Sequence, residues 1–222
     1  MTAPACQLQI NPWMARQAMQ GPSPEVLTGI YEPEVNLAVW RRGPQPAVSA
    51  HCRNLLQGRH LLALRTTVGV DALRITPEAT LPAAIAQVPL GTDILLLVDM
   101  FACLFELKQV GLRLRVLDHA MCPRFHVDRV HCRLLATYGG EGTQWLRYGA
   151  LSQPWRDLLA AAEQGTASAT AELDTCTESL DCLDVALLKG EAWPDNTGHG
   201  LVHRSPQTAP GDKRLLLTLD II

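Results

Sequence analysis

No CxxC pair occurs in this chain, nor any block of like charge, internal repeat or low-complexity tract. Each absence removes a class of protein. The cysteines are seven, irregularly spaced and odd in number (Cys6, Cys52, Cys103, Cys122, Cys132, Cys176 and Cys182). Neither a disulfide framework nor a zinc ribbon is expected, and most of these thiols read as small buried hydrophobes. The formal net charge is −3, spread without runs, so no electrostatic footprint for DNA or RNA is present. The start, MTAPACQLQINPWMARQAMQ, has no basic stretch followed by an apolar one, and no secretory leader is expected. The most apolar segment, Asp93 to Gly111, is interrupted by Asp99, Glu106 and Lys108, which is too broken for a membrane span. A cytoplasmic protein with neither nucleic-acid nor membrane partners is expected.

What is present is a sizeable apolar fraction, 47% of residues, enough for a real core. Residues 1–45 are rich in proline and predict a loosely structured arm with short helices at WMARQAM and SPEVLTGIY. The second would be capped by Ser23, with Pro24 at the first helical position. Residues 46–111 predict a helical scaffold: AHCRNLLQGRHLLALR spaces its apolar residues three and four apart, and TPEATLPAAIAQV opens with a Thr76 cap. A long apolar helix would then run to Gly111. From 112 to 222 the period changes to two. LRLRVLDHA, FHVDRVHCRLLATY, VALLKGE and KRLLLTLDII have strand length and are separated by turns rich in Gly, Pro and Asn. The expected class is α+β: a C-terminal jelly-roll, or double-stranded β-helix, with the N-terminal helices packed on one sheet.

The chemistry concentrates in two blocks. In RFHVDRVHCRLLATYGG, strand parity places His126 and Asp128 on one face, followed by Val130, Cys132, Leu134, Ala136 and Tyr138. The other face, with Arg129, His131 and Arg133, reads as the outside. A histidine and an aspartate turned into an apolar interior need a partner, and a divalent metal satisfies both. His203, after a Gly-rich turn, is the best third ligand. Two imidazoles and a carboxylate on one face of a metal form the facial triad of non-haem Fe(II) oxygenases. In the last strand Arg214, Leu216 and Thr218 share a face, and Leu215, Leu217 and Leu219 the other, suited to packing on the helices. An inward Arg214 needs an anion, and the distal carboxylate of 2-oxoglutarate fits its fork.

Plainer readings stand beside these. His126 and Asp128 also make sense as a buried hydrogen-bonded pair, and His203 as a loop histidine. Arg214 has Asp212, Asp220 and Glu191 as candidate ion-pair partners. Cys122 and Cys132 would suit a zinc site next to His126.

The stretches CPRFHVDRVHCRLLATYGGEGTQWL and LLKGEAWPDNTGHGLVHRSPQTAPGDKRLLLTLDI resemble the bacterial domain-of-unknown-function family 1826. They are also similar to the 2-oxoglutarate/Fe(II) dioxygenase superfamily, in which an HxD…H triad binds iron and a later Arg or Lys binds the cosubstrate. That resemblance implies His126, Asp128 and His203 as metal ligands and Arg214 as the 2-oxoglutarate anchor; Tyr138, placed by parity on the inward face, is expected as a second anchor. Leu216 stands where some members carry Ser or Thr two residues after the anchor. The activity implied is Fe(II)/2-oxoglutarate-dependent hydroxylation of an unidentified small molecule or protein side chain. The alternatives are a non-catalytic zinc-binding or metal-handling protein, and a degenerate barrel used for interaction.

Overall fold

A computed structural model of the chain describes residues 17–58 and 61–222. Ten strands are present among them: β1 (Gln17–Gly21), β2 (Val35–Trp40), β3 (Ala63–Gly69), β4 (Gln109–Leu117), β5 (Cys132–Gly139), β6 (Gln144–Leu146), β7 (Thr177–Ser179), β8 (Val185–Lys189), β9 (His203–Arg204) and β10 (Arg214–Ile221). The helices are α1 (Pro46–Gln57), α2 (Val70–Ile75), α3 (Ala83–Ala86), α4 (Pro89–Leu104), α5 (Trp155–Glu163) and α6 (Ala167–Cys176), with short 3-10 turns between.

The architecture is mixed α+β. A seven-stranded sheet runs in the order β1-β2-β8-β5-β10-β4-β3, and a three-stranded sheet in the order β7-β6-β9. All pairs are antiparallel except β1 with β2. One face of the large sheet carries Leu112, Leu114, Leu134, Leu215, Leu217 and Leu219 and packs in a single core with Ile94, Leu97 and Phe101 of α4. The opposite face carries Leu37, Val39, Leu135, Leu188 and Leu216. It packs with Trp145, Leu146, Leu201 and Val202 around the small sheet and with Leu158 and Leu173 of α5 and α6. Central strands are therefore buried on both faces, which is why β8 and β10 read as continuous apolar runs rather than alternations. Leu217 is fully buried between these layers. Leu217→Ala is expected to cost about 2–5 kcal/mol in a denaturant titration, the usual range for a core leucine.

Three expectations change. The Pro-rich first 45 residues do not form a loose arm where they are described. Val35–Trp40 is a buried strand inside the large sheet. Pro33 before it and Pro44 after it lie outside the strand, where a missing N–H interrupts no ladder. The WMARQAM helix falls partly outside the described residues, along with Cys6, and its Gln17–Met19 portion is strand. SPEVLTGIY does form a helix, of 3-10 type, led by Ser23 and Pro24.

The span from 46 to 111 is not wholly helical either. Ala63–Gly69 is an edge strand paired with β4, and its β-branched Thr66, Thr67 and Val68 favour that state. The long helix ends at Leu104 rather than Gly111. Glu106 takes the left-handed conformation (φ 53°) that glycine usually supplies. The Leu107 N–H reaches the Ala102 carbonyl at 2.9 Å, closing the helix end.

Candidate metal centre

His126 and Asp128 lie in the irregular segment between β4 and β5, not on a continuous strand. Two backbone hydrogen bonds of 3.0 Å, from His126 N–H to His203 O and from His203 N–H to His126 O, clamp this segment against β9. Asp128 is set by the turn after β8: its carbonyl accepts from Glu191 N–H at 2.9 Å, and the Val130 carbonyl accepts from Ala192 N–H at 3.2 Å. The two segments approach so closely that a Cβ on Gly190 would collide with the Val130 carbonyl oxygen and press on that of Asp128. Gly190→Ala is expected to cost about 1–3 kcal/mol, as overpacking does, and to displace Asp128. Thermal unfolding together with metal titration of the variant measures both effects.

The three side chains converge. The ligand atoms of His126, Asp128 and His203 all lie within 4.8 Å of one another. His126 Nε2 is 3.7 Å from Asp128 Oδ1, and His203 Nε2 is 3.5 Å from Asp128 Oδ2. Metal–ligand bonds of about 2.0–2.2 Å meeting near a right angle span about 3 Å, so the three side chains would draw together to close on an ion. Each imidazole is also oriented by a hydrogen bond at Nδ1. Nδ1 of His126 bonds the Arg124 carbonyl at 3.0 Å, and Nδ1 of His203 bonds the Leu201 carbonyl at 3.1 Å. A carbonyl only accepts, so each Nδ1 carries a proton, and each Nε2, the atom left for a metal, faces Asp128.

The electrostatics favour the ligating states. Burial lowers the His126 pKa, and the neighbouring His203 lowers it further. Burial opposes the Asp128 charge, but contact with His203 and the positive charge of Arg133 outweigh it and bring the carboxyl down to about 2. Arg133 donates to Asp128 Oδ2 at 2.6 Å and to Asp220 Oδ1 at 2.7 Å, and Asp220 also pairs with Arg113 at 2.9 Å.

Arg214, at the start of β10, is 3% exposed and opens on the same cavity of about 520 Å³ as His126 and His203. Its Nη2 donates to Thr137 Oγ1 at 2.9 Å and to Thr143 Oγ1 at 2.5 Å, while Nε has no partner. Among the described residues no carboxylate comes within ion-pair distance of Arg214. Asp220 is taken by Arg133 and Arg113, and Glu191 pairs with Arg156. Burial lowers the Arg214 pKa to about 10, so the group stays charged at neutral pH.

Strand parity misled the reading in two places. It does not carry through residues 128–131, because those residues are not strand. The face of β5 toward the centre is therefore Arg133, Leu135 and Thr137, and Arg133 is inside rather than outside. Tyr138 lies on the other face, fully buried toward the helices, and its hydroxyl donates to Asp93 Oδ2 at 2.6 Å. It does not reach the cavity as a second anchor. Cys132 points the same way as Tyr138, and among the described residues no cysteine joins the ligand group. Thr137 and Thr143, which hold Arg214, carried no signal in the sequence, since hydroxyls on a strand are common.

The donor set fits a divalent ion with open positions. Two neutral imidazoles and one carboxylate occupy one side, and the cavity occupies the other. A search of curated proteins returns no match. Similar solved structures include the dioxygenase for auxin oxidation in rice, at 13% identity, with 93% of this chain and 83% of that chain covered and a TM-score of 0.46. Another is a bsmA homologue from Methylobium petroleophilum PM1, at 11% identity, 88% and 91% coverage and a TM-score of 0.49. A third is a Pseudomonas putida prolyl-4-hydroxylase, at 12% identity, 88% and 96% coverage and a TM-score of 0.41. Residues 21–220 match the family described as protein of unknown function DUF1826, and the chain belongs to that family.

Proposed function

We propose that this protein is an Fe(II)- and 2-oxoglutarate-dependent oxygenase whose two facing sheets form a double-stranded β-helix. The observation that carries this reading is a buried guanidinium without a carboxylate partner, Arg214, opening on the same cavity as a His-Asp-His triad. His126, Asp128 and His203 would hold the iron. Arg214, braced by Thr137 and Thr143, would take the distal carboxylate of 2-oxoglutarate. The chemistry supplied by bound Fe(II) is activation of O2 coupled to loss of CO2 from 2-oxoglutarate, one oxygen atom ending in succinate and the other in a substrate hydroxyl. The chain contributes the rest. The Nδ1 hydrogen bonds fix both imidazoles, and Arg133 keeps Asp128 ionised and aimed. Leu135 and Leu216 line an apolar wall, and Arg214 orients the cosubstrate by a charge that burial strengthens.

The test is anaerobic titration of Fe(II)-loaded protein with 2-oxoglutarate, followed by the weak visible charge-transfer band. Wild type is expected to show a saturable band. Arg214→Ala should weaken 2-oxoglutarate at least about tenfold, roughly 1.4 kcal/mol for loss of a charge-assisted pair. Absence of any band or affinity in wild type, with tight zinc retained instead, would replace this reading with a non-catalytic metal site.

A further inference from the structure

The triad and Arg214 account for only part of the cavity. Its wall on β3 and β4 is arginine-rich: Arg65, Arg113 and Arg115 line it, beside Arg133 and Arg214, and no Asp or Glu does. The LRLRVL alternation places Arg113 and Arg115 on one face of β4. Arg65 stands directly opposite Arg113 across the β3–β4 pair, and Arg115 stands opposite Leu216 on β10. Like charges directly opposite on one face repel, so this arrangement is costly without a counter-anion. Asp220 answers Arg113 and Arg133. Arg65 and Arg115 have no carboxylate within ion-pair distance among the described residues; the Arg115 guanidinium meets the Met121 sulfur at 3.2 Å. Leu135 and Leu216, beside the imidazoles of His126 and His203, supply the apolar part of the same lining.

We propose that the cavity binds a small organic anion as the oxidised substrate, its carboxylate or phosphate held by Arg65 and Arg115 and its aliphatic body lying over the leucines toward His126 and His203. The assignment of this anion as substrate rests on the oxygenase reading; the anion site itself rests on the arginines. About 520 Å³ suits a small molecule. A chain with net charge −3 and five arginines lining one cavity suits a small anion better than a nucleic-acid backbone.

The test is calorimetric binding of hexanoate, hexyl phosphate, hexanol and hexylamine to the full chain at low ionic strength. Wild type should bind one or both anions saturably and more weakly as salt is added, and the tighter of the two identifies the head group. The Arg65→Gln/Arg115→Gln double variant should lose about tenfold or more in anion affinity, and its Fe(II)–2-oxoglutarate band should match wild type. Both positions are exposed, so the variant is expected to fold. Equal binding of hexanol or hexylamine overturns the proposal. So does wild-type anion affinity in the double variant, or loss that follows Arg214→Ala instead. Arginine-dependent anion binding without the 2-oxoglutarate band would leave the anion site standing and remove the oxygenase reading. The band without anion binding would do the reverse.

Discussion

Asp128→Ala is expected to abolish metal retention through desalting, with affinity falling at least about a hundredfold. Loss of a residue that merely orients a metal ligand costs about 10–100-fold, so loss of a ligand belongs at or above that range. Asp128 supplies the one negative charge in a donor set otherwise made of two neutral imidazoles. Arg133, left facing the site, would add repulsion toward a cation. Metal content by elemental analysis after anaerobic loading measures the effect, and His203→Ala should behave alike. Retention of a full equivalent of iron by Asp128→Ala would dissolve the proposed ligand set.

The same carboxylate gives the metal-free protein a pH signature. The Asp128 pKa is lowered from 3.8 to about 2, so ionised Asp128 stabilises the fold at pH values above the unfolded pKa. That contribution is lost as pH falls from about 4 toward 2. In the Asp128→Ala variant, this part of the acid unfolding profile should flatten.

Asp93→Ala is expected to destabilise the fold by about 3–5 kcal/mol, because it leaves a buried arginine without its partner. Asp93 accepts from Arg42 at 2.7 and 3.1 Å and from the Tyr138 hydroxyl at 2.6 Å. The Arg42 side chain is 2% exposed, so water cannot take over as its partner. This network ties the turn after β2, α4 and β5 together beneath the sheet. A loss of that size is a large share of a typical domain stability of about 5–15 kcal/mol. Tyr138→Phe removes one hydrogen bond and no charge, and should cost about 1–2 kcal/mol. Chemical denaturation of the two variants separates the roles. If Asp93→Ala costs no more than Tyr138→Phe, the Arg42 charge is being satisfied elsewhere.

Much of this molecule was legible from local pattern. The change of period after residue 111 located β4, β8 and β10, and parity within β10 assigned Arg214, Leu216 and Thr218 to one face and the three leucines to the other. Parity works inside a continuous strand because the pleat is rigid. It fails across residues 118–131, where the chain leaves the sheet, and so it put Tyr138 in the cavity and Arg133 outside. The side chains of His126, Asp128 and His203 converge, but not by strand parity: His126 and Asp128 meet through a clamped loop, not through a shared strand face.

Short strands held by distant partners were the least visible. β2 and β3 owe their conformation to pairing with β8 and β4, and a six- or seven-residue segment has no strong preference until such a neighbour offers its hydrogen bonds. Side-chain type and spacing determined which residues are able to bind a metal or an anion. Only the folded chain decided which of them face one another, because contacts such as Thr143 with Arg214, Asp220 with Arg133 and Arg65 with Arg113 join elements whose register is set by the whole sheet.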